Sequence, residues 1–186
     1  MNPEGILFVS NCFGEDRVAS LIARELKVLC KQHKKSIKVL GATLIGNGKE
    51  YSLNDIKVVY NSSPPPSGGF PTKSIKGFFA DLLSGSFFNI LKFVRALKRF
   101  YNEIDVAFVV GDIFLLFLSK LALKDKKFFF FALAKSDYFM PHYLVEKWYL
   151  KKNNIEVITR DKLTANNLSG YGIKGYYFGN PMMDDL

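Results

Sequence analysis

The chain has little of what builds stapled, metal-held or membrane-spanning proteins. It carries two cysteines, Cys12 and Cys30, and two histidines in 186 residues. Two cysteines make no disulfide framework, and their separation lacks metal-ligand spacing. Two reduced thiols in a cytoplasmic protein are therefore expected, with no metal. No run reaches the roughly 18 uninterrupted apolar residues that span a bilayer. The start, Met1 to Gly5, has no basic region and is not read as a signal peptide. A Gly-x-Gly-x-x-Gly fingerprint is missing after the first apolar run, where Gly14 is the only glycine. That absence disfavours a nicotinamide or flavin, and no cofactor is expected in this chain.

Apolar residues make up 48% of the chain, with 18 phenylalanines, enough for one large domain with a real core. The formal net charge of +9 favours an anionic partner such as a phosphorylated substrate or an acidic membrane surface. No nucleic-acid motif accompanies the charge, so nucleic acid is not an expected partner.

Strand-like and helix-like segments alternate. Apolar runs at Ile6 to Ser10, Lys38 to Ile45, Lys57 to Tyr60, Asp105 to Val110, Lys127 to Ala134, Ile155 to Thr159 and Lys174 to Phe178 predict strands. Helical spacing predicts helices over Asp16 to His33, Thr72 to Tyr101, Ile113 to Leu123, Pro141 to Lys152 and Asp161 to Ser169. Near-continuous apolar strands separated by helices predict an α/β fold with a doubly wound, mostly parallel sheet. Three consecutive prolines and a Gly-Gly pair in Asn61 to Pro71 predict a connector, or a substrate-contacting loop through Ser67, Gly68 and Gly69.

Ligands of such sheets sit beyond the carboxyl ends of the strands. The first strand runs into Asn11, Gly14, Glu15 and Asp16. Gly14 can admit a ligand against backbone, and Asp16 either caps the following helix or binds a hydroxyl. Cys12 stands there without a histidine near it in sequence, so it is not expected to be a nucleophile. The fourth strand ends at Gly111-Asp112, where a carboxylate suits a general base or a helix cap. The fifth ends in Lys135-Ser136-Asp137, read as a phosphate contact and two hydroxyl contacts. His142 is read as a surface or packing residue. Arg160 follows the sixth strand and can fork a phosphate, or lie at a solvated helix start.

Residues 72–100 hold six cations and one acid. The pairs Phe78-Phe79, Leu82-Leu83 and Phe87-Phe88 exceed what one core-facing stripe needs. With Lys92 and Arg95 they read either as a face for an anionic membrane or as helices packed on the sheet with a basic edge.

These pieces occur in one order: a glycine-acid turn, Gly41 to Gly48 after the second strand, the basic helical segment, Gly111-Asp112, and Gly179-Asn180-Pro181-Met182-Met183-Asp184. The order resembles the N-terminal half of lipid-A-disaccharide synthase-related proteins, and more broadly the GT-B glycosyltransferases. The resemblance implies a Rossmann-like acceptor-binding domain over residues 1–179. Residues 180–186, including Asn180, would begin a linker to a second domain that binds a UDP-sugar. It further implies sugar transfer to a lipid-linked or membrane acceptor, with Asp112 as the base and a location on the inner face of the membrane. Apart from the resemblance, a non-catalytic module binding anionic lipid or a protein partner fits the same residues.

Overall fold

The structure, a computed structural model, describes residues 4–62 and 86–179, the side chains of Ser86 and Phe87 excepted. Among them are seven strands: β1 (Gly5–Ser10), β2 (Lys38–Thr43), β3 (Lys57–Tyr60), β4 (Val106–Val110), β5 (Lys127–Ala132), β6 (Glu156–Thr159) and β7 (Gly175–Tyr176). Six helices alternate with them: α1 (Phe13–Gln32), α2 (Lys49–Leu53), α3 (Ser86–Arg99), α4 (Ile113–Leu123), α5 (Leu144–Lys152) and α6 (Lys162–Gly170). The strands form one all-parallel sheet in the order β3-β2-β1-β4-β5-β6-β7. This is a Rossmann-like α/β fold.

Strand alternation explains the layering. Leu7 and Val9 of β1, Ala107 and Val109 of β4, and Phe128 and Phe130 of β5 point to one face, where Phe93, Leu97, Leu115, Leu116, Leu150 and Leu168 from α3–α6 cover them. Phe8, Val110 and Phe131 point to the other face, beneath α1 and Tyr51 of α2. Fully burying each such side chain contributes about 1.5–3 kcal/mol. The four-phenylalanine run is a central strand with both faces in use, as its composition predicts.

Several boundaries differ from the sequence reading, each for a local reason. Helix α1 begins at Phe13, three residues early, so Asp16 lies inside its first turn and is not its cap. Helix α5 begins at Leu144 because residues 136–140 close a tight loop, with Ser136 and Met140 exchanging backbone hydrogen bonds. Helix α2, which no apolar period announced, follows the left-handed Gly48. Expected features at Ser67, Gly68, Gly69, Phe78, Phe79, Leu82, Leu83, the Phe87 side chain and Asn180 lie outside the described residues.

Candidate functional site

The chain leaves β1 toward β2 and β3, then returns to add β4 on the other side of β1. Loops after β1 and β4 therefore diverge, opening a crevice beyond their carboxyl ends. Five acidic or hydroxyl side chains converge there. Ser10 Oγ donates to Asp16 Oδ1 at 2.6 Å and lies 2.6 Å from the Tyr51 hydroxyl. All three residues are buried. Glu15 Oε2 accepts from the Asn11 N–H at 3.1 Å. Asp112 caps α4, its Oδ1 accepting from the Leu115 N–H at 2.8 Å.

Backbone geometry makes room for these acids. A Cβ on Gly46 would lie 2.8 Å from Asp16 Oδ2, and one on Gly111 would lie 2.8 Å from Glu15 Oε2. Both glycines have positive φ, so a side chain would be strained as well as crowded. Cys12, in the turn between them, adopts φ 76° and ψ 170°, a region that is essentially glycine's. A cysteine held there is over-determined by its surroundings, and such strain concentrates at functional sites. Burial, then the charges of Glu15 and Asp16, push the Cys12 thiol up, so it stays protonated.

The electrostatics of the crevice are unusual. Burial, followed by the charge of Asp112, pushes Glu15 up to about 8. Burial pushes Asp16 up to about 6, against hydrogen bonds from Ser10 and Thr43. Among the described residues, no cation pairs with Glu15, Asp16 or Asp112. Asn11 Oδ1 is buried there without a partner. A crevice of this kind repels phosphate. It suits a neutral ligand rich in hydroxyls, which can donate to Asp112 and accept from a protonated Glu15.

The residues after β5 and β6 form a different cluster. Lys135 Nζ lies 3.3 Å from Glu146 Oε1 and beneath the Tyr143 ring. His142 Nδ1 lies 3.2 Å from Glu146 Oε2, which also accepts from the Tyr143 N–H. Lys135, His142 and Glu146 are each at most 9% exposed. Burial lowers the His142 pKa further than Glu146 can raise it. Asp137 accepts from Asn167, and its N–H donates to Thr164 Oγ1. Burial raises Asp161, but hydrogen bonds from Thr164 and Ser136 outweigh it and hold the carboxyl below its usual range. The Arg160 guanidinium stacks over Phe139 at 5.2 Å.

The structure thus brings Asn11, Glu15, Asp16 and Asp112 together at the switch point. Gly14 stands exposed beside them, with nothing within 4 Å of a Cβ built there. Lys135, Ser136, Asp137 and Arg160 gather at a second place. Of the expected membrane residues, Phe88, Lys92 and Arg95 are exposed on α3, while Phe93 and Leu97 of the same helix are fully buried. Sequence reasoning missed Ser10, Thr43 and Tyr51, which lie beneath the acids. Their one signal was a hydroxyl or tyrosine near glycine turns, too common to single out.

No family model matches the chain, and no curated protein matches it. Among solved structures it is similar to CalG4, the calicheamicin glycosyltransferase. The two share 15% sequence identity over 94% of this chain and 44% of that chain, with a TM-score of 0.49. The chain spans less than half of that structure's length.

Proposed function

We propose that this domain binds a hydroxyl-bearing acceptor over the ends of β1 and β4 for a glycosyl transfer from a UDP-sugar. The observation that carries the reading is the uncompensated acid pair at the switch point, Glu15 raised to about 8 beside Asp112. The segment order that resembles GT-B glycosyltransferases supports the choice of reaction. A UDP-sugar site is proposed to lie outside this chain, and the acceptor to be lipid-linked.

Transfer to an acceptor hydroxyl needs its proton removed as the oxygen attacks the sugar carbon and the bond to the diphosphate breaks. Asp112 takes that proton. Glu15, neutral at pH 7, donates a hydrogen bond to the acceptor and fixes its orientation. Asp16 holds Ser10, and through it Tyr51, and with them the floor of the crevice. Binding of alkyl glycosides to the chain, followed by NMR, tests the acceptor half. It is expected to weaken as pH rises through about 8, when Glu15 loses its donor proton. Incubating the protein with alkyl glycosides and a panel of UDP-sugars tests the reaction by UDP release.

One observation favours a second reading, a non-catalytic module that binds a lipid or a protein. Asp112 is already engaged as the cap of α4. Glycoside binding without any UDP release would select it.

A further inference from the structure

We propose that the surface formed by the 138–140 loop and the outer side of α5 docks on an anionic lipid bilayer. Helix α5 carries apolar residues on its outer side as well as its inner one. Glu146 and Leu150 face inward and are buried, whereas Leu144, Val145 and Trp148 face outward at 73%, 68% and 58% exposure. At 100° per residue, Leu144, Val145, Trp148, Lys151 and Lys152 share about a third of the helix circumference. An isolated exposed leucine needs no explanation, but a contiguous apolar stripe does. The loop beside α5 extends it, with Tyr138 and Phe139 at 74% and 64% exposure.

Charge selects the occupant. Between Tyr138 and Lys152 the chain has three cations, Lys147, Lys151 and Lys152, and one acid. That acid, Glu146, is buried against Lys135 and His142. The outward side of α5 is therefore apolar and cationic, and Asp137 beside the loop is half-buried and accepts from Asn167. The cations also lie along aromatic rings: Lys152 Nζ is 4.7 Å from the centre of the Trp148 ring, and Arg160 lies over Phe139. Tryptophan and tyrosine beside cations on flexible stems match the headgroup region of a bilayer. There, rings sit at the apolar boundary and amines reach anionic phosphates. A protein partner would need acidic groups to match these cations. The face is cut from α5 and its loop, not from the α3 segment that the sequence pointed to. The proposal does not rest on the transferase reading.

Trp148 is the chain's single tryptophan, so its emission reports on this face directly. The experiment mixes the whole chain with phosphatidylcholine vesicles, with and without about 30% phosphatidylserine. Sedimentation and quenching by brominated acyl chains are followed together. With the anionic vesicles the chain is expected to sediment, and Trp148 emission to shift to the blue and be quenched. Leu144→Ser with Val145→Ser is expected to weaken partitioning at least about tenfold. Lys151→Glu with Lys152→Glu is expected to abolish the preference for anionic vesicles. Because all four side chains are exposed, both variants should keep the wild-type circular dichroism, and either alone suffices as a test. No binding, or binding without quenching of Trp148, overturns the proposal. So does protection of Trp148 that tracks protein concentration in the absence of lipid, since that assigns the face to a second copy.

Discussion

Two polar clusters stand on the same edge of the sheet and differ in what neutralises them. At the ends of β1 and β4, Glu15, Asp16 and Asp112 crowd together with no cation paired to them among the described residues, and burial holds Glu15 and Asp16 toward their neutral forms. After β5, Lys135, His142 and Glu146 are all buried and answer one another within 3.3 Å. A compensated cluster stabilises the loop that contains it. An uncompensated one costs stability, and it persists where a ligand can complete it.

The largest test of the contrast is Glu146→Ala. It strands a buried ammonium and leaves His142 without its acceptor, so stability should fall by about 3–5 kcal/mol. Urea unfolding measures it, and a loss below about 1 kcal/mol would show that the second cluster is not compensated as described. Asp112→Asn comes next and should act on turnover. UDP release should drop by about a hundredfold or more. Stability should hardly change, because asparagine caps a helix as well as aspartate.

Glu15→Gln reverses the sign. In the folded domain Glu15 keeps its proton up to about pH 8, whereas in the unfolded chain it ionises near 4.5. Between those values the folded state holds the extra proton, so wild-type stability falls as pH rises. The variant has no such proton to lose. It should match the wild type near pH 4 and exceed it by a margin that grows with pH up to about 8, reaching a few kcal/mol, in thermal melts across that range. Ser10→Ala is the smallest change. It removes a hydrogen bond to Asp16 and should cost about 1 kcal/mol while raising Asp16 further above about 6, followed by NMR titration.

The fold was legible because its signals are local. Apolar runs such as Phe128 to Phe131 and helical stripes such as Leu115 to Leu123 state their own structure, and their alternation implies a parallel sheet. Helix α2 was not legible, since five residues carry no period. The acids of the crevice were found by the rule of strand carboxyl ends. The contrast between the clusters was not. Lys135-Ser136-Asp137 read as the denser polar signal, yet Lys135 is consumed by Glu146, eleven residues on. His142 read as a surface or packing residue, yet it is buried in a hydrogen-bonded cluster. Which charges meet depends on the tight 136–140 loop and on the turn into α5, and no spacing in the chain announces that. The outward stripe of α5 escaped for a related reason. Its residues look like an ordinary core stripe until Glu146 and Leu150 are seen to take the inner side.

The central claim is that the switch-point crevice holds a carboxyl group neutral at physiological pH. The most direct measurement is the carbon-13 titration of the Glu15 carboxyl, assigned by its loss in Glu15→Gln. A midpoint near 8 is expected. A midpoint near the ordinary 4.5 would contradict it.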